Sequence, residues 1–190
     1  APCDLLSSSG NLNYQNLPKD EGKGTIKAAF AARPGYVIVQ GDLKTAEVYV
    51  AAVLSNDKFL QKAFVDKVDF HSYIAKQIFK LPCKIEDVPT LFKKDRQNAK
   101  AITFGIMYQA GAPTIAETAK VTKSEAQTFI NKYFAEARDL HAFIQKCNTQ
   151  IETQQFIYSH FGRKRRLMEA LSPNRAVKSH AVRSGVNFVV

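Results

Sequence analysis

The sequence predicts an α+β fold that is mainly helical and carries one small antiparallel sheet. Three observations lead there. Apolar residues recur at helical spacing through most of the stretch from Val48 to Val190. Residues 36–40, Y-V-I-V-Q, form a short β-branched run and are expected as a buried strand. Residues 156–167, F-I-Y-S-H-F-G-R-K-R-R-L, read as a hairpin turning at Phe161-Gly162.

Taken in order, residues 1–24 are rich in turn formers and read as loop, with Pro2 and Pro18 as punctuation. Residues 26–32 lead to a turn at Pro34-Gly35, and the β-branched run ends at Gly41-Asp42. An acid at the end of a buried strand can hold a metal at the sheet edge, or cap the helix that follows. Helical periodicity then covers 48–54, 58–65 and 72–81, with Asp69-Phe70-His71 before the last of these. Residues 81–89 carry two prolines and read as a connector. Helices are expected at 114–120, 124–137 (opened by a Ser124/Gln127 capping box), 140–153 and 175–190. Phe129, Tyr133, Phe134 and Phe143 read as core. Arg163 to Arg166 are four consecutive cations, suited to a phosphate backbone or to plain solvation.

The most informative helix runs through R-Q-N-A-K-A-I-T-F-G-I-M-Y-Q-A-G, residues 96–111. Arg96, Lys100, Phe104 and Tyr108 recur every fourth residue, and each step of four drifts by only about 40°, so the four share one face. Two cations one turn apart can hold successive phosphates, and two rings further along offer flat surfaces to a sugar and a base. Spacing alone leaves open an ordinary amphipathic helix with solvated basic residues. Lys93, Lys94 and Arg96 add positive potential at its start.

Composition narrows the partners. Lys+Arg number 27 against 17 Asp+Glu, a formal charge of +10, which points to a polyanion and first to nucleic acid. At 190 residues, 45% of them hydrophobic, the chain can bury a core in one or two domains. Cys3, Cys83 and Cys147 are too scattered for a disulfide framework or a zinc site, and a reducing compartment is expected. No apolar run has transmembrane length and no signal peptide is evident, so no membrane role is expected. The chain begins without Met and stops in V-N-F-V-V, so a fragment of a longer protein is expected.

R-x-x-x-K-x-x-x-F-G-x-x-Y resembles the nucleotide-binding helix in the fingers of family A DNA polymerases, the bacterial DNA polymerase I type. The resemblance runs from about Ser7 to Val190. It implies that Arg96 and Lys100 hold the incoming triphosphate, that Lys100 takes part in catalysis, that Phe104 faces the sugar and that Tyr108 stacks near the templating base. Gln109 departs from the family, which usually has Gly there. Residues 42–47, D-L-K-T-A-E, are similar to the first catalytic motif. Asp42 would bind both catalytic metals, the Leu43 carbonyl would assist, and Glu47 would block a ribose 2′-hydroxyl. Here L-K-T-A is unusual, and Tyr49 stands where Arg is frequent. D-x-H implies that His71 approaches the terminal phosphates. Gln15 and Asn16 match a polar pair that contacts primer–template, and Arg183 and Asn187 match side chains near the primer terminus and minor groove.

The resemblance implies template-directed DNA synthesis in replication or repair. The reaction adds deoxynucleoside triphosphates to a primer 3′-OH with two Mg²⁺ ions, in a bacterial cytoplasm or a phage-infected host cell. It divides the chain into a palm part at 1–55, fingers at 56–154 and a second palm part at 155–190. The family's later H-D-E motif, with the second metal-binding Asp, is not in the sequence. The chain is therefore expected to bind without extending a primer alone, and a partner chain carrying that Asp is the alternative arrangement. Glu47 and Phe104-Gly105 separate it from single-subunit RNA polymerases, and Phe at 104 implies discrimination against dideoxynucleotides.

Overall fold

The computed structural model describes residues 30–39, 41, 43 and 45–190. The chain divides into two compact units, residues 1–44 and Thr45–Val190. In the first, Gly35 at φ 80° makes the expected turn, closed by a hydrogen bond from Tyr36 N to Arg33 O at 3.0 Å. The guanidinium of Arg33 lies 3.8 Å above the Tyr36 ring. Of the buried strand expected at 36–40, nothing is found over the described residues 36–39. Residues 36–39 take no regular structure and are exposed, Val39 at 88%. A β-branched run becomes a strand only where another strand takes its backbone hydrogen bonds, and no pairing includes these described residues.

The second unit is helical. Thr45, at φ 54° in the left-handed region that a β-branched residue rarely enters, leads into α1 (Ala46–Leu54). Then follow α2 (Lys58–Val65), α3 (Phe70–Phe79) and, after a 3₁₀ turn at Ile85–Asp87, the short α4 (Val88–Leu91). The connector expected through residue 89 thus ends early, because Pro89 sits in a first helical turn that needs no amide donor. Next come α5 (Lys93–Met107), α6 (Ala112–Ala119), α7 (Lys123–Glu136) and α8 (Arg138–Gln154). The hairpin pairs β1 (Phe156–Tyr158) antiparallel with β2 (Lys164–Arg166) in the register Phe156 to Arg166, and Gly162 turns it at φ 78°. A 3₁₀ turn at Met168–Leu171 leads to α9 (Arg175–Val189). No described helix is long and apolar enough to cross a membrane.

Caps set the helix starts. Asp57 and Asp69 accept the amides of Leu60 and Ser72, so α3 begins two residues before the sequence reading placed it. The capping box of α7 is Thr122/Glu125, not Ser124/Gln127. Thr122 Oγ1 accepts from Glu125 N, and Glu125 Oε2 accepts from Thr122 N at 2.8 Å. A Glu at the third helical position makes the reciprocal bond, so the helix starts one residue earlier.

One apolar core joins all the helices. Leu60, Ile74, Ile102, Ile115, Tyr133, Leu140 and Ile151 lie at its centre. Phe129, Phe134 and Phe143 pack on it as expected. Buried Asp57 ties distant parts together: its second oxygen accepts from Leu140 N at 2.9 Å, so one carboxylate caps α2 and holds the start of α8.

Candidate functional site

Helix α5 presents the predicted face, and the structure shows what surrounds it. Arg96, in its first turn, makes a two-pronged bond to Asp69: Nε to Oδ2 at 3.0 Å and Nη2 to Oδ1 at 3.1 Å. Asp69 Oδ2 also accepts from the amide and hydroxyl of Ser72. Burial alone would raise the Asp69 pKa. The bond from Arg96, those from Ser72 and the Arg96 charge outweigh it and hold the carboxyl well below the usual range. Asp69 therefore caps α3 and fastens it to α5, while a guanidinium with five N–H groups keeps three for other partners. The D-x-H pattern points to His71, whereas the structural role belongs to Asp69, an acid just before a helical pattern being the usual N-cap signal.

One turn on, Lys100 is exposed, with Nζ 5.8 Å from the centroid of Phe104. Phe104 ends a chain of ring contacts across the helices. It runs from Tyr49 on α1 through Phe64 on α2 and Phe70 and His71 on α3, with centroid separations of 5.1, 5.3, 5.7 and 5.7 Å. His71 is only 6% exposed and lies in this stack. Gly105 lets α6 approach: a Cβ built there would stand 2.5 Å from Ile115 Cγ1.

Tyr108 is the C-cap of α5, outside the helix proper. Its hydroxyl donates to Glu47 Oε1 at 2.9 Å, joining residues 61 positions apart. Burial first, then the Glu47 bond and charge, raise the phenol's pKa, so it stays protonated as the donor. Gln109 takes φ 51°, so the turn for which the resembling family uses Gly is made here by Gln. A groove of about 700 Å³ runs between α5 and α6, lined by Lys94, Lys100, Phe104, Tyr108, Thr114 and Ile115 among others. Arg96 does not line it and turns toward α3 instead.

Helix α9 carries Arg183, whose Nη1 donates to Ser179 Oγ at 2.7 Å, and exposed Asn187 one turn later. The cation run 163–166 is not four equivalent solvated charges. Lys164 Nζ sits 3.8 Å over the Phe156 ring, and Arg165 donates to the Ser184 carbonyl at 3.1 Å and hydroxyl at 2.6 Å. Strand alternation turns Arg165 toward α9. Gln15, Asn16 and Asp42 lie outside the described residues. Leu43 is 80% exposed. No three His, Cys, Asp or Glu among the described residues are grouped to hold a metal.

Residues 5–190 match the family model described as DNA polymerase family A. The DNA polymerase of Escherichia phage T5 is 44% identical over a match 208 positions long that takes in 97% of this chain and 24% of that protein. DNA polymerase I of Pseudomonas aeruginosa is 34% identical over 181 residues, 95% of this chain and 19% of the relative. Among solved structures, the POL domain of Pol1 from M. smegmatis, in complex with DNA primer-template and dNTP, superposes with a TM-score of 0.78 at 28% identity. That match covers 93% of this chain and 31% of the other. The chain thus spans about a quarter or less of the length of these two curated relatives.

Proposed function

Because the chain belongs to DNA polymerase family A, we propose that it carries the part of a template-directed DNA polymerase that selects and holds the incoming deoxynucleoside triphosphate. Residues 56–154 serve as fingers, and 1–55 and 155–190 as parts of the palm. The setting is a bacterial cytoplasm or an infected host cell.

The observation that carries this reading is the Tyr108–Glu47 hydrogen bond at 2.9 Å. It brings the residue proposed to stack near the template base against the residue proposed to exclude a ribose. Both stand at the end of a helix whose earlier turns present Lys100 and Phe104. A triphosphate laid along α5 meets Lys100, and the donors that Arg96 does not spend on Asp69, at its charged end. It meets Phe104 at the sugar and Tyr108 at the base. Glu47, fixed by Tyr108, stands where a 2′-hydroxyl would need room, so ribonucleotides are rejected by sterics and by an unpaired buried hydroxyl. His71 stiffens Phe104 from behind and adds a donor toward the phosphates. Gln15, Asn16, Arg183 and Asn187 are the proposed contacts to primer–template.

Asp42 and the Leu43 carbonyl are hard oxygen donors of the kind magnesium takes. Two Mg²⁺ ions, when bound, would lower the pKa of the primer 3′-OH and neutralise charge on the leaving pyrophosphate. The test of this reading is Glu47→Ala in the native-length polymerase, scored by incorporation of ribonucleotides against deoxynucleotides. Ribonucleotide use should rise at least tenfold. A variant that excludes them as well as the wild type places the gate elsewhere.

A further inference from the structure

The chain of rings behind the α5 face begins and ends beside the residues proposed to select the sugar. Tyr49, at one end, stands two positions after Glu47 on α1, and Phe104, at the other, stands one turn before Tyr108 on α5. Two positions on a helix are about 200° of rotation, so Glu47 and Tyr49 leave nearly opposite sides of α1. Glu47 accepts from the Tyr108 hydroxyl at 2.9 Å. Tyr49 meets Phe64 of α2 edge to face, with centroids 5.1 Å apart and planes at 90°. Helix α1 is therefore joined to α5 twice, once by a hydrogen bond and once through rings on α2 and α3.

The ring route is stiff. Phe64 and Phe70 stack at 5.3 Å and 21°, His71 meets the edge of Phe70 at 5.7 Å and 82°, and Phe104 lies against His71 at 5.7 Å and 49°. All of these separations fall in the range where aromatic pairs attract. Phe70 and His71 are buried, and Phe64 is half-buried against the core. Rings packed at interior density pass a displacement to the next ring and absorb little of it. Tyr49 stands where the resembling family frequently has Arg, so the outermost ring belongs to this sequence.

Resting on the polymerase reading above, we propose that Tyr49, Phe64 and Phe70 are positioning residues for sugar selection. They act through Phe104 and not by touching the nucleotide. The stack fixes how far the Phe104 ring stands from Glu47, and that separation is the width of the slot a deoxyribose enters. A ring removed from the stack lets Phe104 fall back toward α3. The slot then gains room for a 2′-hydroxyl beside Glu47, and the hold of Phe104 on the 3′ side of the sugar loosens in the same movement. Selection against ribose and selection against dideoxyribose are thus coupled through one set of rings, none of which the nucleotide-binding motif contains except Phe104 itself.

The experiment is single-turnover incorporation of a deoxy-, a ribo- and a dideoxynucleotide opposite the same template base by the native-length polymerase. The readouts are the ribo-to-deoxy and dideoxy-to-deoxy ratios of efficiency. A variant that only loses folded protein changes every efficiency alike and leaves both ratios where they were. Phe70→Leu should raise both ratios about tenfold, and Tyr49→Ala, at the far end of the stack, about threefold. Tyr49 is 52% exposed, so Tyr49→Ala folds even where Phe70→Leu does not. Tyr49→Phe keeps the ring and should keep wild-type ratios. The double variant should match Phe70→Leu alone, because one break opens the whole chain. Phe129→Leu breaks a ring pair at 4.9 Å between α3 and α7 that lies outside this chain, and it should leave both ratios unchanged. Wild-type ratios in Phe70→Leu and Tyr49→Ala, or ratios that move as far in Phe129→Leu, refute the stack and leave the Glu47 gate standing. A wild type that incorporates no deoxynucleotide refutes the polymerase reading and the stack with it.

Discussion

Replacing Asp69 with Asn keeps a cap on α3 and removes the charge that Arg96 grips; replacing it with Ala removes both. The two partners are about a quarter exposed, with side-chain exposures of 26% and 25%. They are screened less than a surface pair, worth at most about 1 kcal/mol, and more than a buried one. Two charge-assisted bonds at 3.0 and 3.1 Å in this setting contribute roughly 1–2 kcal/mol. The cap adds about 1 kcal/mol. Asp69→Asn should therefore destabilise by roughly 1–2 kcal/mol and Asp69→Ala by roughly 2–3, read from equilibrium urea unfolding. The sign with pH follows from the lowered carboxyl pKa. The folded state binds the proton less readily than the unfolded chain, so the carboxylate stabilises fully above about pH 4 and loses that contribution as pH falls further. The gap between wild type and Asp69→Asn should be flat from pH 8 to pH 5 and close below about pH 4. An Asn variant as stable as wild type at pH 7, or a gap that widens in acid, would refute the claim that this ion pair fastens α3 to α5.

Two further substitutions probe the frame behind the site. Gly105→Ala puts a Cβ 2.5 and 2.7 Å from the end of Ile115. Overpacking of about 1–3 kcal/mol outweighs the helix propensity gained, roughly 1 kcal/mol, so the unfolding midpoint should drop. Ile115→Ala, which removes both Cγ1 and Cδ1, should cost less in the Gly105→Ala background than alone, and equal costs would mean that this contact does not set how closely α5 and α6 approach. Asp57→Ala strands the buried amide of Leu140 and uncaps α2. The expected loss is about 2–4 kcal/mol, measured by urea unfolding, with Asp57→Asn intermediate. A neutral Asp57→Ala would remove Asp57 as the tie between α2 and α8.

Much of the fold was legible because it is local. Helix α2 matches the expected span to the residue, since its apolar period and its Asp57 cap agree. The face of α5 follows from a repeat of four and from side-chain chemistry. What pairs across the chain was not legible. Arg96 finds Asp69 27 residues away and Tyr108 finds Glu47 61 residues away, and no periodicity carries such distances. Residues 36–39 carry strand propensity, but no strand that pairs with them lies among the described residues. At α7 the observed Thr122/Glu125 box overlaps the expected Ser124/Gln127 pattern, and the reciprocal Thr122–Glu125 bonds decide where the helix starts. The run 163–166 looked uniform in charge, yet the pleat of β2 sends Arg165 inward onto Ser184.

The central claim, that the α5 face holds a triphosphate, is tested most directly at Lys100, which is exposed and, among the described residues, lies 5.8 Å from the centroid of the Phe104 ring. The measurement is the single-turnover dependence of primer extension on deoxynucleotide concentration, for wild type and Lys100→Ala of the native-length polymerase on the same primer–template. Loss of a charge-assisted phosphate contact of about 2–3 kcal/mol predicts an incorporation efficiency roughly 30- to 150-fold lower, with primer–template affinity unchanged. Equal efficiency in the two proteins would contradict the account.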